Sequence, residues 1–136
     1  MSTEGPRYTP KEMLARLVGF DTVSHKSNLA LIAFVEDYLA AHGIASKRVP
    51  NTDGDKAGLY ATIGPNVDGG VVLSAHSDVV PTEHQTWSTD PFTLTERGSR
   101  LYARGTSDMK GFLACALALV PEFAAADLAT PIHLAI

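Results

Sequence analysis

Val71-Val72-Leu73-Ser74-Ala75-His76-Ser77-Asp78-Val79-Val80-Pro81 is the stretch on which the fold turns. Its first five residues read as an uninterrupted apolar strand, the pattern of a strand buried on both faces of a sheet. The strand then gives way at once to an imidazole and a carboxylate. In open α/β sheets, ligand sites lie beyond the carboxyl ends of strands. In extended backbone, residues two apart point to the same side, so the carboxylate of Asp78 can reach the ring of His76. An acidic partner of this kind fixes the tautomer of a metal-bound histidine and raises its basicity. The same pair could orient a general base. Spacing alone gives equal room to a plainer reading, a polar pair closing a strand end.

Upstream, Thr9-Pro10-Lys11-Glu12 opens a helix with a capping box and a proline at its first position. Met13, Leu14, Leu17 and Val18 follow at helical spacing, and the helix is expected to stop near Gly19. Ser27 or Asn28 caps a second helix, whose buried stripe is Leu31, Ile32, Val35, Tyr38 and Leu39 and whose stop is Gly43. Residues 44–50 and 59–63 read as strands around the turn Asn51-Thr52-Asp53-Gly54-Asp55. Downstream, residues 92–97 and 101–103 form a hairpin about Gly98-Ser99. A third helix spans about 109–123, and 131–136 is a further apolar strand. This order predicts an α/β fold, a mixed sheet flanked by helices on both faces.

Composition narrows the function classes. The 136 residues are 45% hydrophobic and 19% charged, which is ordinary for one globular domain and excludes disorder as the main state. A formal charge of −4 leaves no electrostatic footprint for nucleic acid or an anionic membrane. One cysteine, Cys115, can form neither an internal disulfide nor a thiolate zinc site. It reads as a packing residue on the apolar side of the third helix. A reducing, cytoplasmic setting is the simplest expectation. No apolar run approaches the roughly 20 residues of a membrane span, and residues 1–10 lack the order of a secretory signal. The chain stops inside an apolar strand, which is expected of the front part of a longer protein.

A second stretch carries chemistry. In Arg104-Gly105-Thr106-Ser107-Asp108-Met109-Lys110-Gly111 a carboxylate sits between two glycines where a loop enters a helix. The glycines permit unusual backbone angles and close approach, and the two oxygens of Asp108 could bridge two metal ions. Taken alone, the better reading is that Ser107 or Asp108 caps the helix. The remaining candidates read more plainly. His84 lies in a polar loop near the site, either solvated or touching substrate, His25 and His42 lie on the surface, and His133 faces a strand neighbour or solvent. Trp87, Pro91 and Phe92 anchor their loop, and Arg104 and Lys110 hold local carboxylates or loop carbonyls.

Together the two stretches are no longer generic. His76-Ser77-Asp78-Val79-Val80-Pro81, then Trp87-Ser88-Thr89-Asp90-Pro91-Phe92, then Ala103-Arg104-Gly105-Thr106-Ser107-Asp108-Met109-Lys110-Gly111 resemble, in order and separation, the motifs of the M20 zinc metallohydrolases. Ala103 departs from the glycine usual there, which matters only if the backbone needs a positive φ. Phe20-Asp21-Thr22-Val23-Ser24 and Leu94-Thr95-Glu96-Arg97 are similar to the acetylornithine deacetylase subgroup.

The resemblance implies a zinc-exopeptidase-like fold, with residues 1–136 as the amino-terminal portion of its catalytic domain and a lid or dimerisation domain elsewhere. It implies two zinc ions (or cobalt) per complete site. His76 would ligate one ion, Asp108 would bridge both, and Asp78 would be the catalytic aspartate orienting His76. A cis peptide is expected between Asp108 and Met109. The general-base glutamate would lie beyond Ile136. The implied reaction removes the acetyl group from N2-acetyl-L-ornithine, a small-molecule N-acyl amino acid substrate, in a homodimeric protein of arginine biosynthesis. Two other assignments fit the same residues. One is succinyl-diaminopimelate desuccinylase or another N-acyl amino acid hydrolase. The other is a non-catalytic remnant whose exposed final strand pairs with another chain.

Overall fold

The structure is a computed structural model that describes residues 4–136. Helices α1 (Pro10–Val18) and α2 (Leu29–Ala41) come first. Strands β1 (Ser46–Pro50), β2 (Ala57–Ile63) and β3 (Val71–Ser74) follow. A hairpin of β4 (Thr95–Arg97) and β5 (Arg100–Tyr102) leads to helices α3 (Gly111–Ala118) and α4 (Val120–Ala125), and then to β6 (Ile132–Ala135).

The N-terminal helices form for the reasons their residues give. Thr9 Oγ1 accepts from the Glu12 N–H at 3.2 Å while Glu12 Oε2 accepts from the Thr9 N–H at 2.8 Å, closing the capping box. Met13, Leu14, Leu17 and Val18 are buried as their spacing predicts. Each such side chain stabilises the fold by about 1.5–3 kcal/mol. Asn28 stands at the N-cap of α2 without capping it. Its amide instead grips the start of β2, donating to Ala57 O at 2.8 Å and accepting from Ala57 N at 3.0 Å.

Four strands form the main sheet in the order β1-β2-β6-β3. β1 pairs antiparallel with β2 and β2 antiparallel with β6, while β6 and β3 run parallel. The sheet is mixed, as expected. Three expectations about it fail, the first being helices on both faces, since those described pack on one. The final strand is not an exposed edge, because β6 lies between β2 and β3. Nor is β3 buried on both faces: Val71 and Val72 are 58% and 56% exposed. The reason is that, among the described residues, β3 has β6 alone as neighbour and the helices cover a single face. Ala57, Leu59, Ala61, Ile63 and Leu134 enter one core with α1, α2 and α3. The opposite face, with Tyr60, Thr62, Val72 and His133, carries no helix among the described residues. There the His133 ring lies between the Tyr60 and Thr62 hydroxyls, 2.9 Å from each.

The third helix also differs. It begins at Gly111 rather than Met109, because Asp108 and Met109 have non-helical angles. It breaks at Leu119 into α3 and α4, because Pro121 has no N–H to give Leu117 O and its ring crowds that carbonyl. The Tyr38 hydroxyl donates to the freed Leu117 carbonyl at 3.0 Å. Cys115, expected to pack, is exposed. The buried stripe of α3 is Leu113, Ala114, Ala116, Leu117 and Ala118, which turns Cys115 outward with Phe112 and Leu119. Among the described residues no helix is long and apolar enough to cross a membrane.

Candidate metal centre

Beyond β3 the chain stays extended, and burial alternates. Ser77 and Val79 are buried while His76, Asp78 and Val80 are exposed. That alternation puts the imidazole and the carboxylate on one side, as the two-residue spacing requires. The inward side is fastened to the loop Phe20–Ser24. Thr22 Oγ1 donates to Ser77 O at 2.6 Å, Val79 N to Thr22 O at 3.0 Å, and Ser24 N to Val79 O at 3.1 Å.

Asp108 arrives from the other direction. Gly105 has φ +82°, and a Cβ there would stand 2.5 Å from Val79 Cγ1, so only glycine lets the turn seat against the His76–Asp78 segment. The backbone at Ala103 is not in the positive-φ region, so its departure from the motif costs nothing. Lys110 N–H reaches back to Gly105 O at 2.9 Å, closing a wide turn around Asp108. The Asp108–Met109 peptide is cis, as expected. Lys110 is fully buried and its Nζ donates to Phe20 O at 2.8 Å, a loop carbonyl as anticipated. Burial pulls its pKa down to about 8, against the opposing charge of Asp21.

These two arms bring His76 and Asp108 together. His76 Nε2 lies 2.9 Å from Asp108 Oδ1. His76 Nδ1 lies 3.1 Å from Asp78 Oδ1 and 3.0 Å from Asp78 O. The far oxygen of Asp78, Oδ2, accepts from Ser24 Oγ at 2.6 Å. Burial lowers the His76 pKa, but the hydrogen bonds and charges of Asp108 and Asp78 outweigh it, and the net shift is upward. The Ser24 hydrogen bond, with the His76 charge behind it, holds the Asp78 carboxyl below its ordinary value despite partial burial.

The donor set fits a metal. Two donors on one tetrahedral zinc, each about 2.0–2.2 Å from it, stand about 3.3–3.6 Å apart. His76 Nε2 and Asp108 Oδ1 are about 0.4–0.7 Å closer than that. The carboxylate behind the other ring nitrogen is the partner that metal-bound histidines carry. No third ligating side chain completes a metal-holding group among the described residues. The sequence singled out His76, Asp78 and Asp108, and all three meet here. The stretch Phe20–Ser24 stood out only by its resemblance to a subgroup, which gave no role to Thr22 or Ser24.

The flanking loop is held by contacts within itself and with Arg104. The Arg104 guanidinium lies 5.0 Å over the Trp87 ring and bonds Gln85 Oε1, which also accepts from Trp87 Nε1 at 3.1 Å. A cleft of about 460 Å³ lies elsewhere, between α1 and the hairpin, lined by Lys11, Glu12, Leu94 and Glu96 among others.

Comparison with known proteins agrees with this geometry. Residues 72–136, which include both arms of the site, match Peptidase family M20/M25/M40. The acetylornithine deacetylase of Proteus mirabilis (strain HI4320) is 39% identical over 116 residues, covering 84% of this chain and 30% of that protein. The chain belongs to the M20 metallopeptidase family. Human carnosine dipeptidase 1 superposes with a TM-score of 0.76 at 27% identity, over 93% of this chain and 31% of that one. An M20 family metallo-carboxypeptidase from Sulfolobus solfataricus shares the fold, with a TM-score of 0.79 at 22% identity over 94% of this chain and 30% of that one. The M20 chain described here thus spans about 30% of the length of the relatives it matches.

Proposed function

We propose that this chain supplies part of the metal centre of a zinc-dependent amidohydrolase that removes the acetyl group from N2-acetyl-L-ornithine, giving L-ornithine and acetate. The observation that carries the proposal is the His76 ring held between two carboxylates, one at each nitrogen. The name of the Proteus mirabilis relative supports the substrate. When bound, zinc supplies a Lewis acid that polarises an amide carbonyl and acidifies water. Within this chain, His76 presents Nε2 to the metal and Asp108 presents its carboxylate beside it. Asp78 holds the Nδ1 proton, which keeps the Nε2 lone pair free. In the same reading, residues 1–136 are the amino-terminal portion of the catalytic domain, and dimerisation belongs to a separate lid domain.

Catalytic zinc takes three protein ligands, and His76 and Asp108 are two. The 136-residue chain alone is therefore expected to bind zinc weakly and to hydrolyse no amide. Zinc titration against a chromophoric chelator, with turnover of acetylornithine and succinyl-diaminopimelate measured beside it, tests the reading. Zinc uptake lost in His76→Ala is the expected result. Equal uptake by that variant overturns the metal assignment. Turnover by the chain alone overturns the claim that its catalytic group is incomplete. Preference of the complete protein for succinyl-diaminopimelate overturns the substrate.

A further inference from the structure

We infer that Ser24 is a positioning residue for the metal centre, setting the His76 ligand through Asp78; this rests on the metal reading above. Ser24 lies more than fifty positions from Asp78 in sequence, yet its Oγ is 2.6 Å from Asp78 Oδ2. The hydroxyl has one proton and two acceptors in reach, Asp78 Oδ2 and Val79 O, the latter at 3.3 Å. Val79 O is already served by the Ser24 N–H at 3.1 Å. The hydroxyl proton therefore goes to the carboxylate, which is both nearer and charged.

The consequence is geometric. With Oδ2 held by Ser24, Oδ1 is turned toward His76 Nδ1, at 3.1 Å, and adds its charge beside the Asp78 carbonyl that Nδ1 meets at 3.0 Å. A carboxylate free to rotate would share its oxygens between the ring and water, because the Asp78 side chain is 53% exposed. Ser24 itself is fixed by the backbone ladder between Phe20–Ser24 and Val79, and by Lys56 Nζ, which donates to its carbonyl. The same loop accepts the buried Lys110 from the Asp108 turn through Phe20 O. One short loop thus reaches both halves of the site, and Ser24 is the member that touches its charge.

The test is zinc affinity of the chain by chelator competition, with Tm measured separately in EDTA. Ser24→Ala is expected to weaken zinc binding about three- to tenfold, since one hydrogen bond to a half-exposed carboxylate is lost. Its Tm in EDTA should stay within about 2 °C of wild type. Ser24→Thr, which keeps the hydroxyl, should restore affinity. In an Asp78→Ala background, Ser24→Ala should change nothing further, because the group it acts through is gone. Wild-type affinity in Ser24→Ala overturns the proposal and leaves the metal reading standing. A further loss in the Asp78→Ala background, or a fall in Tm that accounts for the weaker binding, overturns it as well, because either makes Ser24 structural. A wild-type chain that takes up no zinc removes the metal reading, and this proposal with it.

Discussion

Replacing Asp78 by asparagine removes one charge and almost no volume, so it isolates what the carboxylate does for His76. Both side chains are about half exposed, 48% for His76 and 53% for Asp78, which places the pair near the water end of the dielectric range. At 3.1 Å a full charge pair in water is worth about 1.3 kcal/mol. A metal-bound imidazole bears part of that charge, so the electrostatic loss is about 1 kcal/mol. The Asp78 backbone carbonyl, 3.0 Å from Nδ1, still accepts that proton in the variant, but the asparagine NH2 can face Nδ1–H as donor against donor. Together these weaken zinc binding by about tenfold, the low end of what such outer partners contribute. The assay is chelator competition at pH 7.5, with cobalt(II) absorption as a second readout. Affinity within twofold of wild type would refute the claim that Asp78 acts through His76. A thousandfold loss would refute it differently, by making Asp78 a ligand in its own right.

Other outcomes follow from the scaffold. Burial pushes the Tyr38 hydroxyl up to about 12, whereas the unfolded chain ionises near the ordinary 10.0. Between those values the native state keeps a proton the unfolded state has lost, so stability falls as pH rises. The full loss is about 2–3 kcal/mol. Tyr38→Phe should cost about 1–2 kcal/mol at pH 7, because Leu117 O loses its donor. The difference between its urea midpoints and the wild type's should shrink and then reverse sign towards pH 12; a constant difference would contradict the burial argument. Gly105→Ala should lower Tm by about 6–10 °C, from about 2 kcal/mol of left-handed strain and the push on Val79. Thr9→Ala should cost about 1 kcal/mol in urea unfolding by opening the capping box.

What was legible in the sequence follows the range of the interactions. The capping box of α1, the stripe of α2, and the shared side of His76 and Asp78 depend on residues a few positions apart, and the chain states them directly. The exposure of Val71 and Val72 depends on which strands flank β3 and on which face the helices lie, and neither is encoded in the run of apolar residues itself. Pro121 signalled a break that the apolar periodicity of the third helix concealed. Cys115 was misplaced because α3 is apolar nearly all round, so no polar stripe marks its outer face. Ser24 escaped for a different reason. Its contact with Asp78 joins segments more than fifty positions apart, and the resemblance that marked Phe20–Ser24 carried no role for the hydroxyl. The meeting of His76 with Asp108 was readable only because whole motifs resembled a family; the residues alone gave two separate hints.

The place of β6 in the sheet has a consequence for how the chain comes off the ribosome. β1 and β2 are neighbours in sequence and can zip together early. β3 has no hydrogen-bonding partner until β6 arrives, and Tyr60 must wait for Ala135. Until then the nascent polypeptide carries an open strand next to exposed Val71 and Val72, the condition under which growing chains stick to one another. His76 and Asp108 both lie in the stretch made between β3 and β6, so the strand that presents His76 is seated only when synthesis has passed β6.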